Sequence, residues 1–387
     1  MSVTDNQKRL LLDLLETLRP HWRNDRNLPS RIATWLVARR AGSRDRRLYR
    51  ELAYTALRIL PWIDAATGDE AVGLIAAEAA GQPATREFRA AFARPDLVAA
   101  ADRRRLLPAW LADEAPAVWN DPAQFETLLS RAPLWLRSAR GDPQRMIGEF
   151  SERGWTATPS AILPGAWQLP ADVPLTDTAA YRRGDVEIQD LGSQLILGAA
   201  GIEPGGQWLD ACAGAGGKTL QLAQLLGAAG HVTAHDVRAK ALQELRTRAI
   251  RAGIHQVTTT TESPKGRFDG VLVDAPCSGT GTWRRAPHLK WTTTPHDIAR
   301  AAELQREILA RGAARVRPGG RLIYATCSLC HTENQAVARA FAANHPDFEP
   351  EACAPRFGLL EAQPGTVILP AAHDTDGFYF AAFRRTT

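Results

Sequence analysis

The sequence predicts an α/β protein whose larger part is a doubly wound parallel sheet, preceded by a helical domain and a small α+β module. Three observations carry this. From about residue 185, apolar runs of strand length alternate with segments of helical periodicity. The first of these strands runs into a glycine-rich turn, "DACAGAGGK", that opens a helix. The strand-like runs end in acids or thiols, at Asp210, Asp236, Asp274 and Cys327, as expected where strand ends form a site.

Residues 1–128 read as helices. "NQKRLLLDLLETLR" puts leucines on one face, and "SRIATWLVARRAG" follows with Ser30 as N-cap and Gly42 as stop. In "RDRRLYRELAYTALRILPWID", Leu48, Leu52, Ala56 and Ile59 recur at helical spacing and Pro61 is the expected end. Arg39, Arg40, Arg44, Arg46, Arg47 and Arg50 gather at that junction, either as a solvated face with Asp45 and Glu51 or as a phosphate-tracking patch.

Proline and small residues mark a seam near 120–133. Residues 129–180 then read as a small α+β module: strand, helix and strand in "LWLRSARGDPQRMIGEFSERGWTATP", and a strand pair or linker in "AILPGAWQLPADVPLTDT". In 181–387 the expected order is a strand "QWLDACA", a helix "TLQLAQLLG", a strand "HVTAHDV" and a helix over 238–252. Strands "VTTTT" and "FDGVLVDA", a helix over 297–315, the strand "RLIYATC", the helix "TENQAVARAFAANH" and a closing strand "GFYFAAFRR" complete it.

The chain has 387 residues, enough for two or three domains, and 45% hydrophobic residues support a sizeable core. The net charge of +5 is compatible with nucleic acid. Five cysteines, an odd number, with no secretory leader point to reduced thiols and a cytoplasmic protein. Asp13 and Glu16 interrupt the N-terminal leucine run, and no other run is long enough to span a bilayer, so no membrane partner is expected.

In the turn after Asp210, glycines let a ligand approach the backbone, and the helix start favours negative charge. Asp236 ends the next strand, where an acid suits the hydroxyls of an adenosine ribose. That fits either NAD or S-adenosylmethionine, but the spacing is not G-x-G-x-x-G. Cys212 and Cys353 read as packing residues, with the Cys212 backbone lining the loop. Cys277 and Cys327 each follow an apolar strand and precede polar turn residues, so both belong at the sheet's carboxyl edge. Two thiols beside a cofactor pocket suggest covalent catalysis. Carbon 5 of a pyrimidine is unreactive until a thiolate adds to carbon 6; after methylation the carbon-5 proton and the enzyme sulfur must both leave. Cys327, Cys330 and His331 also spell C-x-x-C-H, a haem-attachment pattern and half a zinc or redox motif. Haem attachment requires export and zinc a second ligand pair, so no metal is expected.

At these motifs the chain resembles the NOL/NOP/Sun family of RNA cytosine-5 methyltransferases, and above all its bacterial branch acting on small-subunit ribosomal RNA. The carriers, in order, are "EIQDLGSQLI", "DACAGAGGKT", "LVDAPCSGTGTWRRAPHLKW", "YATCSLCHTENQAV" and "AHDTDGFYFAAF". Upstream, "RAPLWLRSAR" is similar to the family's RNA-recognition-like module and "GSRDRRLYRELAYTALR" to its NusB-like extension. The resemblance implies a Rossmann-like methyltransferase domain over 181–387. It implies Cys327 as nucleophile, Cys277 as the thiol assisting release and Asp274 as the group that holds and polarises cytosine. S-adenosylmethionine would be held by the loop of Cys212, Ala213, Gly214, Ala215, Gly216, Gly217 and Lys218, with Asp236 and Asp274. Lys218 and Lys290 stand out because the chain's other lysines are only Lys8, Lys240 and Lys265; a lowered pKa at Cys327 would come from a positive or hydrogen-bonding setting such as nearby Lys290 or the start of the following helix. Two departures are visible: Ala215 replaces a usual proline, and "TTTTESPKGRFDG" lacks the family's aspartate after the third strand, leaving Thr261, Glu262 or a backbone group in its place. The expected partner is RNA, as 16S rRNA or the assembling small subunit, bound by a monomer. A tRNA methyltransferase and a non-catalytic ribosome-assembly factor are the alternatives.

Overall fold

The computed structural model describes residues 2–353 and 357–386. The chain forms two compact units, one of residues up to 113 together with 283–294, the other of 114–282 and 295–387.

The first unit is helical. Its longer helices are Val3–Leu18, Leu28–Ala38, Ser43–Arg58 and Gly68–Glu78. Ser2 with Asp5 and Thr67 with Glu70 form capping boxes, each satisfying two otherwise orphan amides. Leu11, Leu14, Leu28, Leu52 and Ile63 are fully buried in its core. Three expected boundaries move. The second helix starts at Leu28 after Asn27, with Pro29 in its first turn, so Ser30 is inside it rather than its N-cap. It ends at Ala38, and Gly42 instead caps the start of the next helix. Pro61 does not simply terminate a helix: the helix breaks at Ile59 and Pro61 opens the short helix Leu60–Ala65, where a missing N–H costs nothing.

The second unit holds two sheets. The smaller contains β1 (Leu134–Ser138), β2 (Thr158–Pro159), β3 (Ala166–Leu169) and β4 (Val186–Ile188) in the antiparallel order β2-β3-β1-β4. Helix Pro143–Glu152 buries Met146 and Phe150 with Leu136, Leu169 and Val186.

The larger sheet comprises β5 (Gly206–Asp210), β6 (Gly230–His235), β7 (Val257–Thr260), β8 (Phe268–Asp274), β9 (Val316–Thr326), β10 (Phe348–Glu351), β11 (Leu360–Glu361), β12 (Thr366–Ile368) and β13 (Phe378–Arg385). Its order is β11-β12-β13-β9-β8-β5-β6-β7, with β10 beside β13. Strands β7, β6, β5, β8 and β9 are parallel, and the later strands pair antiparallel. Strand β8 reads as an unbroken apolar run because both its faces are covered. Leu272 packs on one face with Leu222, Val232 and Ile323, whereas Val271 and Val273 pack on the other with Leu309, Leu322 and Tyr324. Strand order reverses between β5 and β8, the switch point at which such sheets bind ligands. No described helix is long and apolar enough to cross a membrane.

Candidate active site

The carboxyl ends of β5, β6, β8 and β9 deliver Asp210, Asp236, Asp274 and Cys327 to one edge of the sheet. After β5 the chain turns through Gly214 and Gly216, at φ 53° and 89°, and enters helix Gly217–Leu226. Those are left-handed conformations that glycine alone adopts without strain. A Cβ at Gly216 would also lie 2.5 Å from the Leu245 side chain. The first-turn amides of the following helix have no intrahelical acceptor.

Two carboxyls shape this loop. Asp210 is buried and accepts from Thr219 Oγ1 at 2.7 Å and from the Cys212 amide at 3.3 Å. Burial raises its pKa to about 7, against the lowering effect of the Thr219 bond. Asp236 Oδ2 accepts the Gly214 amide at 2.8 Å, and Oδ1 accepts the Arg238 amide at 2.9 Å. The Arg238 guanidinium grips both oxygens at 2.9 Å. That grip, with the two amides, holds the Asp236 carboxyl down at about 2. Arg238 itself is 69% exposed, so the groups filling Asp236 are two fixed amides and one movable cation. Burial raises the Cys212 thiol to about 12, in keeping with a packing side chain. At the end of β7, the Glu262 amide donates to Thr260 Oγ1 at 3.0 Å, and Thr261 and Glu262 are exposed.

The two cysteines expected at the sheet edge do meet. Cys277 Sγ and Cys327 Sγ are 3.3 Å apart, and both residues are partly exposed. The hydrogen bond to Cys327, then burial, then the nearby charges of Cys327 and Glu333 push the Cys277 thiol well up, so Cys277 resists ionisation. Lys218 lies in the first turn of the helix that follows the glycine turn. Its Nζ is 2.9 Å from each Asp274 carboxylate oxygen. Burial works against its charge, but Asp274 more than offsets this, aided by Cys327 and Asp210, and its pKa is raised. Gly281 lets the backbones close up behind the thiols: its amide donates to the Cys327 carbonyl at 3.0 Å, and a Cβ there would fall 2.0 Å from the Gly377 oxygen.

Lys290 is not the cation beside Cys327. It belongs to the helical unit, is 1% exposed, and its Nζ donates to the Arg58 and Leu106 carbonyls at 2.9 Å each. Burial, reinforced by Arg58, drives its pKa well down. The physical reason is the path of the chain: after Thr282, residues 283–294 pack with the helices, where Trp291 Nε1 also donates to the Leu57 carbonyl at 2.6 Å. The C-x-x-C-H pattern is likewise taken apart. Cys330 is buried, its Sγ 3.6 Å from Thr280 Oγ1, and the His331 ring faces Glu114 at 3.2 Å. No cluster of three or more His, Cys, Asp or Glu suited to a metal occurs among the described residues.

Sequence reasoning missed Glu333. It is fully buried and accepts from the Ser278 amide and hydroxyl, from Ser328 and from Gln305. The available signal was a serine directly after each strand-end cysteine, with one acid close behind.

Strand order and glycine turn together define a Rossmann-like methyltransferase domain. Residues 200–384 match the family described as 16S rRNA methyltransferase RsmB/F. The ribosomal RNA small subunit methyltransferase B of Salmonella arizonae is 34% identical over 299 residues, 73% of this chain and 67% of that protein. Its counterpart in Xanthomonas campestris pv. campestris is 34% identical over 287 residues, 71% of this chain and 65% of that protein. The chain thus spans about two thirds of the length of these curated relatives. The crystal structure of a methyltransferase homolog protein from Pyrococcus horikoshii superposes with a TM-score of 0.60 at 28% identity, over 71% of this chain and 94% of that one. The chain belongs to the RsmB/F family of 16S rRNA methyltransferases, a family that uses S-adenosylmethionine.

Proposed function

We propose that this chain is an RNA 5-methylcytosine methyltransferase that acts on 16S rRNA through a cysteine adduct. The observation that carries the reading is the 3.3 Å approach of two thiols at the ends of adjacent strands, beside a glycine turn built for a nucleoside cofactor. S-adenosylmethionine, when bound, supplies the methyl group that carbon 5 receives. The residues fit it: the loop Cys212–Lys218 offers a close backbone approach, and Asp236 offers a carboxylate whose exposed Arg238 can yield to ribose hydroxyls.

The chain's own groups divide the chemistry. Asp274, anchored by Lys218, accepts hydrogen bonds from the cytosine edge and fixes its plane. Cys327 adds to carbon 6, and the electron pair displaced from the ring double bond makes carbon 5 nucleophilic. Once carbon 5 carries its methyl group, its proton leaves to a base. The electrons of that C–H bond re-form the double bond and expel the Cys327 sulfur. Cys277, still protonated and 3.3 Å away, donates a hydrogen bond to the departing thiolate. The reaction runs in the cytoplasm, in a monomer, with the exposed arginines of the helical unit contacting RNA phosphates. The names of the S. arizonae and X. campestris relatives support small-subunit rRNA as substrate. The test is methyl transfer from labelled cofactor to unmodified 16S rRNA, with bisulfite mapping of the product. One new 5-methylcytosine is expected; no incorporation into naked 16S rRNA or into assembling small subunits would refute the proposal.

A further inference from the structure

We propose that Glu333 is the positioning residue that sets the distance between Cys277 and Cys327, by clasping the two cysteine loops through the serine that follows each thiol. Each motif has the same local order, Cys277-Ser278 and Cys327-Ser328. Glu333 Oε1 accepts the Ser278 amide at 2.7 Å, and Oε2 accepts the Ser278 hydroxyl at 2.5 Å. The same Oε2 accepts the Ser328 hydroxyl at 2.6 Å. Gln305 Nε2 fills Oε1 at 3.0 Å and also donates to the Pro276 carbonyl at 3.0 Å, so the helix Pro295–Ala313 supports the clasp. Four donors occupy the four lone-pair positions of a carboxylate with none exposed to water.

A buried carboxylate is costly unless fully hydrogen-bonded, so such a group would not be retained merely to fill space. What Glu333 adds is one rigid acceptor shared by residues 278 and 328, fifty positions apart in sequence, each adjacent to a thiol. Thr280 Oγ1 lies 3.1 Å from Ser328 Oγ and accepts the Leu329 amide at 2.8 Å, so it holds the 327 side but not Ser278, and the two serine hydroxyls reach each other only at 3.4 Å. The Glu333 side chain contacts neither thiol by hydrogen bond; it acts through the serines.

This inference rests on the two-cysteine reading above, so its test has an arm that needs neither RNA nor cofactor. The full chain is treated with iodoacetamide at pH 8, and the labelling rates of Cys277 and Cys327 are read by peptide mass mapping. In the unaltered protein Cys277, whose ionisation burial and the Cys327 contact oppose, should label about tenfold more slowly than Cys327 or worse, because the thiolate is the reactive form. Glu333→Ala should bring the two rates within about threefold. In turnover with 16S rRNA, a thiol displaced by about 1 Å lowers kcat on the order of 10²-fold, while KM for RNA and the Kd for S-adenosylmethionine stay within threefold. Glu333→Gln keeps one oxygen for Ser278 and an amide for Ser328, so it should recover about tenfold of that loss. It also decides the matter if the alanine variant does not fold. Unchanged labelling selectivity and kcat in Glu333→Gln and Glu333→Ala would overturn the assignment. So would a loss of cofactor affinity equal to the loss of kcat, which would mean general collapse of the sheet edge. If the unaltered protein methylates no RNA, the proposed function fails, and the labelling selectivity alone decides the clasp.

Discussion

Replacing Asp236 with asparagine tests the proposed cofactor loop at its most connected point. The side chain is 6% exposed and gathers two backbone amides and a guanidinium. The Arg238 grip, with the two amides, holds the carboxyl at about 2 against an ordinary 3.8, and because its largest cause is an exposed guanidinium, solvent screening leaves about 1 kcal/mol of preference for the ionised form in the folded state. Because the folded value lies below the unfolded one, that stabilisation is present above about pH 4 and is lost as pH falls toward 2. Asp236→Asn should therefore be less stable than the parent at pH 7, by an amount that shrinks below pH 4 in urea unfolding. Ribose hydroxyls bound to this carboxylate would make charge-assisted bonds of about 1.5–3 kcal/mol each. Calorimetric titration with S-adenosylmethionine should thus show affinity reduced tenfold or more. Arg238→Ala removes only the exposed partner, worth about 0–1 kcal/mol, so its Kd should stay within about fivefold of the parent. A folded Asp236→Asn protein with unchanged affinity would refute the ribose assignment, and a large loss in Arg238→Ala would show that the guanidinium is part of the binding site.

Two further outcomes are expected. Asp210 is raised to about 7 by burial, so the folded chain holds a proton there that the unfolded chain releases, and this part of stability declines as pH rises from about 4 to 7. The stability of Asp210→Asn relative to the parent should therefore be more favourable at pH 8 than at pH 5; no pH dependence in the difference would contradict the burial argument. Arg40, Arg47 and Arg50 are exposed and make no ion pair among the described residues, unlike Arg39 with Asp13 and Arg44 with Glu87. If all three contact RNA phosphates, their joint replacement by alanine should weaken binding and flatten the log-affinity against log-salt slope by about 2 to 3; an unchanged slope would return them to a solvated face.

Much of the candidate site at the sheet edge was legible because parallel strands announce their ends. Asp210, Asp236, Asp274 and Cys327 each close an apolar run, and a doubly wound topology brings such ends together. The approach of Cys277 to Cys327 followed from that rule once β8 and β9 proved to be neighbours. Lys290 was misplaced because membership in a sequence motif says nothing about where a segment travels, and residues 283–294 leave the strand end for the helical unit. Arg238 was invisible as a partner of Asp236, since a charge two residues on from a strand end has no periodic signature. Glu333 was overlooked because a lone acid in a polar turn reads as solvated, and only its four donors show it to be buried. Pro61 was read as a stop when proline serves equally well in a first turn.

Trapping an RNA–protein adduct separates the proposed roles of the two thiols. In the proposed mechanism Cys327 forms the bond to carbon 6, while Cys277, 3.3 Å away and with its pKa pushed well up, assists the sulfur's departure. Full-length Cys277→Ala, Cys327→Ala and parent protein are incubated with 16S rRNA and S-adenosylmethionine and run on denaturing gels. Cys277→Ala should accumulate an RNA–protein adduct that survives denaturation, and Cys327→Ala should form none and transfer no methyl group. An adduct in Cys327→Ala instead would reverse the roles, and methylation by both variants without an adduct would contradict the cysteine mechanism altogether.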